Sequence, residues 1–170
     1  MKRLLWCIPF VVFFCFVEVA VSGENPFESN LQGTLASGTK YELHVREIEF
    51  KLTKESQPDD GSMWGIDGGF PSFIIKEFRL TLNGKRADIL RKALWDICNV
   101  FTARVIERDS IIVVTLEGGD AAGSFTAEFK VSAYTLLGEE EAAYRLSERI
   151  VRMGEMPDEI WERTEYHFDQ

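Results

Sequence analysis

The chain has little cysteine and little histidine: three cysteines and two histidines in 170 residues. Cys7 and Cys15 fall in the first 22 residues, so a chain that loses those residues keeps only Cys98. One thiol makes no internal disulfide, and such a fold must stand on its apolar core. A structural zinc site needs three or four close His, Cys or carboxylate ligands. Cys98 with the distant His44 and His167 does not supply them. There is no G-x-S-x-G, and nothing pairs either histidine with a nucleophile, so a serine hydrolase lacks its signature. No N-x-S/T sequon, no internal repeat and no low-complexity tract beyond Glu139–Glu141 occurs.

What is present begins with a leader. "MKRLLWCIPFVVFFCFVEVAVS" opens with Lys2 and Arg3, runs apolar from Leu4 to Val17, and ends with small residues at Ala20 and Ser22. That pattern predicts a secretory signal peptide over 1–22, cleaved between Ser22 and Gly23. The apolar run is short against the roughly 20 residues a spanning helix needs. No stable membrane insertion is therefore expected after cleavage. Phe14 before Cys15 is also wrong for a lipid-anchored form. Localisation is expected to be periplasmic or secreted.

The remaining 23–170 is long enough for one domain with a core that buries about 68–70% of the unfolded surface. Losing Lys2, Arg3 and Glu18 takes Lys and Arg from 19 to 17, and Asp and Glu from 28 to 27. The net charge becomes −10, against −9 for the whole chain. Nucleic acid and anionic lipid are repelled by such a surface. Cations, basic proteins and neutral ligands are not.

Strand patterns dominate. Residues 23–32, "GENPFESNLQ", are polar and turn-rich and are expected to be flexible, with one β-rich domain over 33–170. "KYELHVREIEFKLT" (40–53) alternates, but its apolar parity changes from Leu43 and Val45 to Ile48 and Phe50. This predicts a bulge near Arg46–Glu47. "SFIIKEFRLTL" (72–82) places Ile74, Phe78, Leu80 and Leu82 on one face. Asn83-Gly84 is a hairpin turn signal. In "ADILRKALWDICN" the apolar residues 89, 90, 93, 94, 97 and 98 form a helical stripe. That stripe buries Cys98 and leaves Trp95 partly buried beside it. "FTARVIERD" and "SIIVVTLEG" read as a hairpin, and the β-branched Ile111–Val114 suggest a strand covered on both faces. "SFTAEFKV" (124–131) points Phe125, Ala127, Phe129 and Val131 inward. Residues 144–153 fit helix or strand by pattern alone, and a last strand starts near Trp161. The expected fold is mostly β: an antiparallel β-sandwich or half-open barrel of six to seven strands with one short packed helix.

The candidate site residues lie in loops. "GSMWGIDGGF" (61–70) carries Trp64 and Asp67; "EGGDAAG" (117–123) carries Glu117 and Asp120; Trp161 precedes the last strand. Asp59, Asp60, Asp67, Glu117 and Asp120 are oxygen donors of the kind calcium wants, but their order is not that of an EF-hand loop. Asp beside Gly also suits a bare turn. Glu117 with Asp120, or Glu159 with Glu162, could form a glycosidase pair. Acid pairs also arise by chance in so acidic a chain. No catalytic residue, metal or cofactor is therefore assigned. Trp64, Phe70, Trp161 and Tyr166 could stack on a ligand or anchor a partner, or Trp64 could simply plug the end of the core.

"WGIDGG" (64–69), "EGGDAAGSFTAEF" (117–129) and "GEMPDEIWERTEY" (154–166) together resemble a group of small exported bacterial proteins. That group shares W-G-x-D-G, E-G-G-D-A-x-G-S-Y/F and P-D-E-x-W-E-x-T. The resemblance spans about residues 60–168 and implies export and a shared β fold only, since the group has no assigned activity. It tips 144–153 toward a strand. The chain departs from the group at "LLGEEEAAY", inserted where a tight turn would stand. Trp64, Asp67, Glu117, Asp120 and Trp161 are where the shared motifs fall on loops, and they are the expected binding residues. The expected function is an exported non-catalytic domain binding a protein partner or small ligand, with no nucleic acid. The alternative is a small cation-dependent hydrolase using Asp67, Glu117 and Asp120.

Overall fold

A computed structural model describes residues 25–51, 63–66, 70–119, 123–135, 142–154 and 158–167. The leader (1–22), Asp67 and Asp120 lie outside the described residues. Two antiparallel sheets make up the fold, and neither closes into a barrel. The first holds β1 (Glu28–Thr34), β2 (Lys40–Glu49), β3 (Phe73–Leu82) and β4 (Lys85–Arg86). The second holds β5 (Val100–Arg108), β6 (Ile111–Gly118), β7 (Phe125–Tyr134), β8 (Ala143–Met153) and β9 (Glu162–Glu165). Within each sheet every strand lies beside its neighbour in the chain, and the pairs run antiparallel. The turns are chemically suited to this. Asn83 and Gly84 take φ of 49° and 80°, and Asp109 and Ser110 take 51° and 65°. Positive φ at both central residues is what a two-residue hairpin needs.

Alternation sets which side chains meet between the sheets. Leu43, Val45, Leu80 and Leu82 from the first sheet share one core with Val114, Leu116, Ala127, Phe129, Val131, Leu146 and Val151 from the second. Phe78 and Phe129 approach to 5.7 Å across the gap. Each such fully buried side chain is worth about 1.5–3 kcal/mol of transfer free energy. Phe125, Ala127, Phe129 and Val131 all point inward as the alternation predicts, and Ile112, Val113 and Val114 are buried on both faces of β6.

The irregularity foreseen at Arg46–Glu47 is there, but its mechanism differs. The register slips between Arg46 and Glu47, whose partners jump from Glu77 to Ile75. The extra residue is Lys76 on β3. Strand β2 keeps its parity, so Glu47 follows Leu43 and Val45 into the interior, 2% exposed. Strand β3 changes parity instead, and Ile75 rather than Ile74 packs on the core.

Three expectations are corrected. Residues 28–32, read as part of a flexible segment, belong to β1. Phe27 is buried and anchors it, its carbonyl accepting from the Glu47 amide at 2.8 Å. Among the described residues the count of six to seven strands rises to nine, because β1 and the two-residue β4 were not read as strands. The expected helix over 87–99 is only a 3-10 turn at Arg91–Ala93. Ala93, Leu94, Ile97 and Cys98 of its apolar stripe are buried and Ile89 and Leu90 are half-buried, but Asp88, Ile97 and Cys98 give their backbones to bridges with Arg145, Trp64 and Ile74. Those longer-range bonds outcompete the i→i−4 ladder of a short helix. The ambiguous 144–153 is strand, as β8.

Candidate functional site

Three glycine-bearing stretches meet at the end of the sandwich where β5 and β7 begin and β6 and β8 finish. Residue Trp64 is pinned by its backbone: its amide donates to the Asp96 carbonyl at 2.7 Å, and its carbonyl accepts from the Cys98 amide at 3.0 Å. Gly65 follows with φ of +110°, and a Cβ there would strike the Cys98 carbonyl. Only glycine relieves both problems. The Asn99 side chain then ties the corner. Its Nδ2 donates to the Gly65 carbonyl at 2.8 Å, and its Oδ1 accepts from the amides of Ser72 and Phe73 at 3.1 and 3.0 Å. Gly119 donates to the Asn99 carbonyl at 2.9 Å, and a Cβ on Gly119 would sit 2.8 Å from the Gly65 Cα. Gly154 donates to the Ser124 carbonyl at 2.9 Å. The stretches "WGI", "EGG" and the start of "GEMPDEIW" are therefore one packed corner.

Beneath it lies a charge clamp on the core side of β8. The Arg149 side chain is 3% exposed, and its Nη2 donates to Asp96 Oδ2 at 2.7 Å. It lies 3.6 Å from Glu162 Oε2 on β9. The same Glu162 oxygen accepts from Trp64 Nε1 at 3.3 Å, and its Oε1 accepts from Thr164 Oγ1 at 3.0 Å. Burial pushes the Asp96 carboxyl above its ordinary range, and the Arg149 guanidinium opposes that without cancelling it. Burial likewise raises the Tyr166 hydroxyl, again with Arg149 opposing. Lys92 sits over the Tyr166 ring, 5.7 Å from its centroid. Arg149 thus joins the 94–96 turn, β8, β9 and the Trp64 corner through one guanidinium.

A second buried acid stands nearby. Glu47 Oε1 accepts from the Val100 amide at 2.8 Å and Oε2 from the Phe27 amide at 3.2 Å. Its carboxylate bridges the start of β1 and the start of β5. Burial pushes its pKa up to about 6, with the two amides pulling the other way.

The five expected binding residues divide. Trp64 is half-buried and packs against the core. It plugs the end, with its N–H on the Glu162 carboxylate. Trp161 is 50% exposed. Its amide donates to the Val151 carbonyl at 3.0 Å, and the next residue is the clamped Glu162. Trp64 and Trp161 are therefore joined through Glu162. Glu117 is not part of that group. It lies on the outer face of β6, ion-paired to Arg104, and three strand spacings from β9 place it about 14 Å from Trp161. Asp67 and Asp120 lie outside the described residues. Trp95, expected to be partly buried, is instead 54% exposed. The lost helix explains this, because the turn at 94–96 sends Asp96 inward and Trp95 out.

Reading the sequence missed Asp96, Arg149, Glu162 as a clamp, and Glu47. One signal was available. Arg149 shares the parity of Val151 on a strand, and Glu47 that of Leu43 and Val45. A charge on a core-facing position must find a partner.

Among the described residues, no group of three or more His, Cys, Asp or Glu is placed to hold a metal ion. His44 lies on the outer face of β2, 2.7 Å from Asn30 Oδ1 and 3.4 Å from Glu77. His167 is exposed beside Glu165. Of the glycosidase pair Glu159 and Glu162, the first is exposed and the second is committed to Thr164 and Trp64. Comparison with protein-family models, curated proteins and solved structures finds no match.

Proposed function

We propose that this chain is an exported, non-catalytic β domain that binds a protein partner or ligand through the corner where Trp64, Gly119, Gly154 and Trp161 lie. One observation carries the reading. Trp161 presents half its surface to solvent from a backbone fastened on both sides, by its own amide and by the Glu162 clamp. Rigid exposed aromatics lose little entropy on binding and are common anchors. The hydrolase alternative has less support, because Glu117 is already held by Arg104.

The test is a photo-crosslinking amino acid placed at position 161 and, separately, at Asp109 in the turn at the other end of the second sheet. The full chain is expressed in cells that export it, and the product is recovered for N-terminal sequencing. The expected product begins at Gly23 and gives a discrete adduct from position 161 but not from 109. Equal labelling from both positions, or none from 161, would remove the binding end.

A further inference from the structure

We infer that the partner seated on Trp161 is a basic polypeptide segment, one that offers arginine or lysine side chains to this patch. The inference rests on the binding end proposed above and adds the chemistry of what it takes.

Asp158, Glu159, Ile160 and Trp161 are four consecutive exposed residues. Ile160 is 41% exposed and Trp161 50%. Two free acids therefore stand directly before two large apolar side chains. Among the described residues neither Asp158 nor Glu159 forms a salt bridge. The cations closest along the ladder are already spent. Arg152 is held by Glu128 at 2.9 Å, and Arg163 by Glu148 at 3.0 Å. The uncompensated charge of the patch is negative, and so is that of the whole chain.

An apolar ring preceded in the chain by two free carboxylates suits a side chain with an apolar stem and a cationic head. Arginine or lysine can lay its stem or its head on the indole face and its charge against the acids. An anionic lipid surface or an acidic peptide meets like charge at the same place. Trp95, on the far partner of the clamp, follows the exposed Arg91 and Lys92 and lacks this acidic setting. The basic segment is assigned to 158–161 alone.

The test uses the full exported chain and a fluorescein-labelled heptapeptide, Gly-Arg-Gly-Arg-Gly-Arg-Gly, with glutamate replacing arginine as the control peptide. Anisotropy titrations should show binding of the arginine peptide and none of the glutamate peptide. Trp161→Ala and the pair Asp158→Asn with Glu159→Gln should each weaken it about tenfold, the size of one cation–π contact or a desolvated charge pair. Glu42→Gln with Glu49→Gln removes the same charge from the first sheet and should leave binding unchanged. These side chains are exposed, and an unchanged melting temperature verifies that each variant folds. If the glutamate peptide binds as well, or the distant pair weakens binding equally, the inference fails. The adduct captured at position 161 separates the two levels. An adduct through a neutral or acidic segment overturns the basic partner and leaves the binding end standing. No adduct at all removes both.

Discussion

Arg149 donates to Asp96 across 2.7 Å from the interior of the sandwich, so the second sheet is fastened to the 94–96 turn through a buried charge rather than an apolar contact. Such a pair is weak evidence of net stability, but breaking it is costly, because the surviving charge stays buried. Arg149→Met should destabilise the fold by about 3–5 kcal/mol. Asp96→Asn should cost less, since Glu162 remains 3.6 Å from the guanidinium. Combining Arg149→Met with Asp96→Leu should cost clearly less than the two single changes added together. Urea unfolding followed by tryptophan fluorescence measures all of these. Additive costs would mean that the two side chains do not act as a pair.

Glycines inside and outside the corner are predicted to be unequal. Gly38, Gly65 and Gly119 all have positive φ, but only Gly38 faces open space. Gly38→Ala should cost about 1–2 kcal/mol, the left-handed penalty alone. Gly65→Ala adds a collision with the Cys98 carbonyl, and Gly119→Ala one with the Gly123 carbonyl. Both struck groups are backbone and cannot swing aside, so each variant should lose more than Gly38→Ala by at least about 1 kcal/mol. Thermal melts of the three variants rank them. A Gly65→Ala variant as stable as Gly38→Ala would mean the corner is not tightly packed.

Trp64 offers a cleaner test of the link to β9. Its indole N–H reaches Glu162 at 3.3 Å while the ring packs on the core. Trp64→Phe keeps most of the packing and removes the donor. The loss should be about 1–3 kcal/mol, because a half-buried carboxylate then lacks one partner. Amide exchange in β9 should quicken in this variant while that of β6 stays unchanged. Equal quickening in both strands would assign Trp64 to the core alone.

Much of the fold was legible because local rules and burial agree. The alternation of Phe125, Ala127, Phe129 and Val131 admits one orientation, and Asn83-Gly84 admits one kind of turn. The segment 87–99 misled because its apolar spacing suits a helix while its backbone groups are taken by Trp64, Ile74 and Arg145 from elsewhere in the chain. Periodicity reports which side chains are buried, not where the amides go. β1 was missed because its exposed face is polar, and only Phe27, Ser29 and Leu31 betray a core-facing side. The corner was legible as glycine-rich loops. Its clamp was not, since Asp96, Arg149 and Glu162 come together only once the turn, β8 and β9 are placed.

Glu47 makes the fold sensitive to pH in a direction opposite to that of an ordinary surface acid. Burial raises its folded-state pKa from 4.5 to about 6. The folded chain then binds this proton more tightly than the unfolded chain does. The stability it contributes is full below about pH 4.5, declines as pH rises through 6, and is absent above. The total is about 2 kcal/mol, since each tenfold gain in proton affinity corresponds to about 1.4 kcal/mol. Glu47→Gln cannot ionise and removes that slope. It should also lower stability at every pH, because an amide can accept from only one of the Phe27 and Val100 N–H groups. Asp96 and Glu128 titrate in both proteins, so their effects cancel in the difference between them. Unfolding free energies of the two proteins, measured from pH 4.5 to 7.5, should differ most at the acid end and about 2 kcal/mol less at the neutral end. A constant difference across that range would mean that Glu47 ionises in the interior as readily as in water, and that its two amide bonds fully offset its burial.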